Sequence, residues 1–314
     1  MKSIYTFLRL IRYPNLLFII LTQYFFHYLI VVPILISLDL ISSLNDFDFF
    51  LLVCSTVLLA AGGYIINDYF DIKIDSINKP RKLFIGKSFN RRSAILIHHI
   101  FNIAAVLIGI FLSYKVGNIK LSLINPIIAA LLWFYSTGYK KQPLIGNLIV
   151  SLLTGMVVLV VVFYEQPLFH PADEASFLAA YSIFIRAFFY FIFSFLISLI
   201  REIVKDMEDI QGDMTYGCRT LPIVWGIPNS KTIVYLIGII VLSIICFIQA
   251  TPLKAGDYVT VIYLMQTVQF PLFVMMWMLY RADIQKDFNR ISTLVKVVML
   301  MGILTMAYFY FLMI

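Results

Sequence analysis

Two short segments of the sequence repeat one spacing of acidic side chains. Residues 67–75 read N-D-x-x-D-x-x-x-D, and residues 206–213 read D-x-x-D-x-x-x-D. On a helix, acids at i, i+3 and i+7 lie within an arc of about 60°, so each segment predicts a face of three carboxylates. Three like charges repel one another, and a cation would relieve that repulsion. The first acid group is Asp68, Asp71 and Asp75, and the second acid group is Asp206, Asp209 and Asp213.

The side chains of both groups offer hard oxygen ligands, which favour Mg²⁺ over softer metals. Mg²⁺ commonly combines one or two carboxylates with phosphate oxygens and retained waters, so a diphosphate would fit the coordination. Basic side chains near the groups can donate hydrogen bonds to phosphate oxygens. They are Lys79, Arg81, Lys82, Lys140, Lys141 and Arg219. The pattern therefore predicts a Mg²⁺ and diphosphate site.

A simpler interpretation treats all these acids as solvated loop charges. Two matched faces are hard to explain in that way, because the whole chain has only 17 acidic residues. Glu202 and Glu208 differ from the aspartates because they lie off the aspartate face. For these two glutamates, salt bridges to Arg201 or Lys205 are as consistent with the sequence as a ligand role.

The elements that must position the two groups are apolar helices. Of 314 residues, 61% are hydrophobic and 13% are charged, and the mean hydropathy is +0.93. Stretches near the roughly 20 residues needed to cross a bilayer recur along the chain, so we expect one all-α domain over residues 1–314 with about nine transmembrane helices. The predicted spans are 14–36, 49–67, 93–114, 121–137, 144–164, 176–200, 230–249, 258–280 and 291–313.

The placement of charge predicts the orientation in the membrane. A net charge of +7 would favour nucleic-acid binding in a water-soluble protein, but here the basic residues concentrate in alternate loops. By the positive-inside rule this pattern predicts a multi-pass cell-membrane protein with a cytoplasmic N-terminus and an external C-terminus. The polar segments 68–92 and 201–229, which hold the two acid groups, then both lie on the cytoplasmic side.

Other kinds of site have little support in the sequence. The three cysteines are scattered without CxxC spacing, which argues against a zinc site or a disulfide framework. The four histidines form no HExxH pattern. Gly62 and Gly63 precede the first acid group, and a pair of small residues there would let a neighbouring helix or a ligand approach closely.

The spans and the two acid groups, placed after the second and sixth spans, resemble the UbiA superfamily of intramembrane prenyltransferases over essentially the whole chain. The resemblance implies transfer of a polyprenyl group from its diphosphate to a membrane-associated acceptor. It also implies a helical bundle around a central cavity that opens to lipid, with Mg²⁺ joining the diphosphate to both acid groups. The residues carried over as metal and diphosphate ligands are Asn67, Asp68, Asp71, Asp75, Asp206, Asp209 and Asp213, with Arg81, Lys140 and Arg219 as further diphosphate ligands.

Within that superfamily, segments 201–222 and 135–147 look like those of enzymes that prenylate geranylgeranylglyceryl phosphate. The resemblance therefore implies geranylgeranyl diphosphate as the donor and an ether-lipid precursor as the acceptor. Asn15 and Tyr139 are the candidate acceptor-binding residues, although Asn15 could equally serve helix packing. The loop at residues 78–83 departs from the Arg-Pro-Leu-Pro-Ser-Gly form usual in the family.

Two alternatives stay open at this point. The first keeps the superfamily but replaces the lipid acceptor with an aromatic ring, as in quinone or haem O biosynthesis. The second is a cation-coupled membrane transporter, because acids within membrane helices can mark a cation path. A transporter should place ionisable groups through the midplane, whereas these acids gather at one end of their spans.

Overall fold

Apolar helices dominate the computed structural model, which describes residues 2–80, 84–86 and 89–313. Within these ranges nine helices are long and apolar enough to cross a membrane, which confirms the predicted number and class. The only β-type pairing in the described ranges is an isolated bridge between Ile85 and Phe89.

The helices are numbered here in chain order. They are α1 (Lys2–Leu10), α2 (Tyr13–Ser37), α3 (Asp46–Phe70), α4 (Ile72–Asn78), α5 (Arg91–Lys115), α6 (Ile124–Thr137), α7 (Ile145–Phe163), α8 (Glu174–Glu208), α9 (Ile210–Thr215), α10 (Leu221–Lys254), α11 (Tyr258–Arg281) and α12 (Gln285–Met313). Short 3₁₀ turns lie at Ile119–Leu123, Tyr139–Lys141 and Gln166–Phe169.

The predicted polar loop at 201–229 is largely helical. Helix α8 continues to Glu208, and α10 begins at Leu221, nine residues before the predicted start of that span. Pro222 suits the first turn of a helix, where its missing N–H has no partner to lose. Gly226 interrupts α10 at φ 82°, a conformation that glycine adopts without steric cost.

The chain forms two compact units, and each acid group belongs to one of them. The first unit comprises Met1–Tyr139, Gly155–Phe191 and Phe309–Ile314, and the second comprises Lys140–Thr154 and Ile192–Tyr308. The interpretation of residues 1–314 as a single domain stays a prediction.

In the first unit, α3 packs closely on α5 and α6 at a pair of glycines. The Nδ1 atom of His98 on α5 lies 2.9 Å from the carbonyl oxygen of Gly62. A Cβ atom on Gly63 would lie 3.1 Å from the side chain of Leu132 on α6. The predicted close approach at this pair is therefore confirmed, and its partners are neighbouring helices.

Polar contacts secure the end of the first unit that lies away from the acid group. The Lys115 ammonium lies 2.6 Å from Asp48, whose side chain is 2% exposed. Glu165 accepts hydrogen bonds from the Ser42 hydroxyl at 2.6 Å and from the Ser43 backbone N–H at 2.8 Å. Burial raises the pKa of Glu165, although the two serines oppose this shift. These contacts join α3 to α5 and the loop after α2 to the loop after α7.

The second unit is held by contacts between its long helices. Tyr235 on α10 donates a hydrogen bond to the carbonyl oxygen of Met276 on α11. The amides of Gln249 and Gln269 bond to each other in the interior, where an unpaired amide would be costly. Tyr263 on α11 stacks on Tyr308 of α12 with 3.8 Å between ring centroids.

Candidate active site

Each acid group lies at a junction between a long membrane helix and a short helix. Asp71 separates α3 from α4 at φ −88° and ψ 1°, and Asp209 separates α8 from α9 at φ −96° and ψ 6°. The backbone therefore leaves helical geometry at the middle acid of each group, and the face of three carboxylates stays a prediction. Backbone hydrogen bonds end and begin at that acid, from Asp71 N to Asn67 O and from Asp75 N to Asp71 O in the first group, and from Asp209 N to Lys205 O and from Asp213 N to Asp209 O in the second. The two groups thus share one local geometry.

The first acid group is supported by an amide and a guanidinium. Asn67 donates from Nδ2 to Asp71 Oδ2 at 2.8 Å, and Arg12 donates from Nη2 to Asp68 Oδ1 at 2.7 Å. Burial, together with repulsion from Asp71 and Asp68, raises the pKa of Asp75 to about 6, although Lys79 and Arg12 oppose this rise. The local potential is therefore negative enough to favour a further cation.

Arg12 is a residue of this site that sequence reasoning missed. It precedes α2 in the left-handed backbone conformation, at φ 53°. Its guanidinium lies 4.9 Å from the centroid of the Tyr64 ring, and Asn15 donates to the Tyr64 hydroxyl at 3.3 Å. Burial lowers the pKa of Arg12, but Asp68, Tyr64 and Asp75 together outweigh burial and raise it. In the sequence, Arg12 was indistinguishable from the other basic residues of the N-terminal segment.

The second acid group is supported by amides from two other helices. Asn147 on α7 donates from Nδ2 to Asp206 Oδ2 at 2.8 Å. Asn289 on α12 donates to Glu208 Oε1 at 2.7 Å, next to the helix break. Asn147 belongs to a segment whose likeness to the superfamily was noted without a role. The signal that could have found it is an amide placed near the start of a strongly apolar span.

The two glutamates beside the second group have structural partners. Glu202 lies 2.7 Å from the Arg201 guanidinium and 3.4 Å from the Lys205 ammonium, as expected for a residue off the aspartate face. Both glutamates are buried, Glu208 with its side chain on Asn289. Their contacts stabilise the end of α8 that carries the aspartates.

The predicted diphosphate and acceptor residues divide between the two units. In the first unit, Lys79 follows the last residue of α4, and its backbone N–H donates a hydrogen bond to the Asp75 carbonyl oxygen. Tyr139, also in the first unit, is 38% exposed, and its ring lies near that of Phe134. In the second unit, the Arg219 backbone N–H donates to Lys141 O at 2.8 Å, which brings these two basic residues together, and Lys140 lies in the same turn as Lys141. Arg81 and Lys82 lie outside the described residues.

The ligand chemistry of both groups fits Mg²⁺. Among the described residues, no three His, Cys, Asp or Glu side chains already surround one point as metal ligands. Mg²⁺ does not require such a cage, because it binds through one or two carboxylates with phosphate oxygens and water completing its shell. Aspartates and amides are the hard ligands that this arrangement uses.

Within the part of the chain that the structure describes, nine apolar helices and two matched acid groups at helix ends indicate a polytopic membrane protein. The sequence model of the UbiA prenyltransferase family matches residues 28–300. The chain therefore belongs to this family of prenyltransferases.

Known relatives agree with that assignment. The chain is 35% identical over 229 residues to the digeranylgeranylglyceryl phosphate synthase of Sulfurisphaera tokodaii, an alignment that covers 73% of each chain. The apo structure of a UbiA homologue from Aeropyrum pernix matches with a TM-score of 0.62 at 14% identity, covering 95% of this chain and 96% of that one. A UbiA homologue from Archaeoglobus fulgidus bound to DMAPP and Mg²⁺ matches with a TM-score of 0.56 at 16% identity, covering 96% and 99%. The structural likeness confirms the predicted fold class.

The Asn147–Asp206 contact yields a prediction. Replacing Asn147 with alanine leaves Asp206 without its hydrogen-bond donor, so we expect prenyl transfer to fall by about 10- to 100-fold, as for other residues that orient metal ligands. Steady-state rates of the purified variant in detergent would measure the loss. The matched control is Asn229→Ala, because the Asn229 side chain is exposed and donates a hydrogen bond to the Trp225 carbonyl of its own helix. Equal rates for the two variants would show that the Asn147 contact does not serve the reaction.

Proposed function

We propose that this chain transfers a geranylgeranyl group from its diphosphate to geranylgeranylglyceryl phosphate in a Mg²⁺-dependent reaction. The observation that carries the proposal is the alignment with the Sulfurisphaera tokodaii synthase, which is 35% identical and covers 73% of each chain. The likeness of segments 201–222 and 135–147 to enzymes with this acceptor supports the same choice. Mg²⁺ is supported by the hard oxygen ligands of both acid groups and by the ligands of the Archaeoglobus fulgidus homologue.

The proposed site follows from the ligand chemistry of the two acid groups. Asp68, Asp71, Asp206 and Asp209 act as the catalytic metal ligands. Support comes from the shared helix junction, which places the middle carboxylate of each group at the end of a membrane helix. The remaining proposed metal ligands are Asn67, Asp75 and Asp213, and the proposed diphosphate ligands are Lys79, Arg81, Lys140, Lys141 and Arg219.

These residues act by stabilising charge during the reaction. Bound Mg²⁺ would stabilise the negative charge that develops on the diphosphate as its bond to the allylic carbon breaks. The basic side chains donate charge-assisted hydrogen bonds to the departing phosphate oxygens, which favours their release. Asn15 and Tyr139 orient the acceptor hydroxyl that attacks the allylic carbon. Apolar helices exclude water, which would otherwise compete with that hydroxyl.

The first test removes one carboxylate from each acid group. Asp71→Ala and Asp209→Ala are each expected to lower prenyl transfer by about a hundredfold or more while the protein still inserts in the membrane, because charge stabilisation is lost at the reacting centre. EDTA should abolish activity, and added Mg²⁺ should restore it. Asp283→Ala is the control, since its side chain is 89% exposed and lies beside Lys231 rather than in an acid group. Full activity in both aspartate variants would refute the site.

The second test identifies the acceptor class. Purified protein with Mg²⁺ and geranylgeranyl diphosphate is offered geranylgeranylglyceryl phosphate in one reaction and 4-hydroxybenzoate in another. Mass spectrometry should detect a product heavier by one geranylgeranyl group only with the glyceryl phosphate. A prenylated benzoate with no ether-lipid product would instead favour the aromatic-acceptor alternative.

We also propose that the N-terminus and the active site face the cytoplasm and that the C-terminus lies outside. The distribution of basic residues over alternate loops supports this orientation. Alkaline phosphatase fused after Ile314 should be active, whereas green fluorescent protein fused after Lys141 should fluoresce. Phosphatase fused after Lys141 should be inactive. The reverse pattern of activities would show that the protein has the opposite orientation.

A further inference from the structure

The two acid groups differ in the partner of their first carboxylate. Asp68 and Asp206 occupy the same position in the repeated spacing. Asp68 accepts a hydrogen bond from the Arg12 guanidinium at 2.7 Å, whereas Asp206 accepts one from the neutral Asn147 amide at 2.8 Å, with the Lys205 charge acting on it from the same helix. The side chain that donates to Asp68 therefore carries a permanent positive charge, whereas the side chain that donates to Asp206 is uncharged.

Contacts other than Asp68 also hold Arg12 in place. The left-handed backbone at Arg12 turns the chain between α1 and α2, and the Tyr64 ring lies under the guanidinium at 4.9 Å. Asn15 contacts the same tyrosine through its hydroxyl. Cation–π contact and the local backbone therefore help to keep the guanidinium beside the acids.

Arg12 and a divalent cation compete for the same carboxylate. A guanidinium does not lose its proton in a protein, so it can relieve the competition only by moving away from Asp68 Oδ1. That movement is costly while the side chains are only partly exposed, at 35% for Arg12 and 17% for Asp68. A diphosphate changes the balance, because its oxygens can bind the metal ion and the displaced guanidinium together.

We propose that Arg12 makes metal binding at the first acid group depend on the diphosphate. The inference rests on the proposed function and adds an order of binding. Without diphosphate, Arg12 takes the place of the cation at Asp68 and weakens metal binding at the first group. With diphosphate, the guanidinium leaves Asp68 and the metal binds there. By linkage, the metal and the diphosphate each increase the affinity for the other by the same factor.

The test measures binding of Mn²⁺, a paramagnetic substitute for Mg²⁺, by electron paramagnetic resonance on the purified full chain. An Asp209→Asn background disables the second group, so the remaining signal reports on the first. In this background Arg12→Gln should raise the affinity for Mn²⁺ by about tenfold without any diphosphate, because the competing charge is gone. Arg12→Lys keeps the charge and should bind Mn²⁺ much as the parent does. Arg9→Gln is the matched control, since Arg9 lies over the Tyr5 ring and should change nothing.

A second measurement adds a diphosphate analogue, first to the protein with Arg12 unchanged and then to the Arg12→Gln variant. Adding an unreactive prenyl thiolodiphosphate to the Asp209→Asn protein should raise its Mn²⁺ affinity by about tenfold, and Arg12→Gln should shrink this increase. Equal Mn²⁺ affinity with and without the analogue would overturn the inference. So would equal affinities for Arg12→Gln and the parent, provided that thermal unfolding shows both to be folded.

The same assay separates failure of this inference from failure of the proposed function. If Asp71→Asn in the Asp209→Asn background removes the remaining Mn²⁺ signal but Arg12→Gln has no effect, the metal site stands and only the role of Arg12 is wrong. If the Mn²⁺ signal survives both aspartate substitutions, the acid groups are not the metal site, and both proposals fall.

Discussion

The central physical constraint on this protein is the repulsion among three carboxylates placed at the end of a membrane helix. Water cannot screen such charges well at a membrane boundary, so partners must come from the chain or from bound ions. Both acid groups combine a break at the middle acid with a donor from elsewhere in the chain, Arg12 for Asp68 and Asn147 for Asp206. Burial, followed by repulsion from Asp71 and Asp68, raises the pKa of Asp75 even though Lys79 and Arg12 oppose the rise. Under the proposed function, a bound cation would oppose it further.

The packing of the helices also holds the acid groups in place. Gly62 and Gly63 lie on α3 about one and a half turns before the first acid group, where α5 and α6 approach closely. On the second unit, α7 and α12 bring Asn147 and Asn289 to the end of α8. The acids therefore project from helices that are each fixed by neighbours on at least one side. Rigid support of this kind is what holds ligands in a productive geometry.

Much of the fold and the acid groups could be predicted from the sequence, because their signals are local. Apolar runs of about 20 residues identify the spans, and a spacing within eight or nine residues identifies each acid group. The contacts that complete the site are not local. Arg12 is 56 residues from Asp68, and Asn147 is 59 residues from Asp206. No periodicity links such pairs, so the sequence alone does not connect Arg12 with the first acid group.

The helix ends were harder to predict for a related reason. Polar residues after the sixth span suggested a long loop, yet α8 continues through them: Glu202 pairs with Arg201 and Lys205 of the same helix, and Glu208 accepts a hydrogen bond from Asn289 of α12. Hydropathy measures the cost of exposing a side chain to lipid but does not register a partner on a neighbouring helix. The break at Asp71 and Asp209 escaped prediction because neither position is a glycine or a proline, the residues that usually mark a helix break in a sequence.

Burial alone does not distinguish functional acids in this chain from structural ones. The side chains of Asp48 and Glu165 are only 2% and 1% exposed, which makes both more buried than Asp68 at 17%. Their partners are nevertheless supplied within the fold, by Lys115 for Asp48 and by two serines for Glu165, so neither needs an ion. What sets the acid groups apart is that three carboxylates share one helix end and that the arrangement occurs twice. Duplicated, mutually repelling acids are costly for folding, and their presence is best explained by a ligand that removes the repulsion.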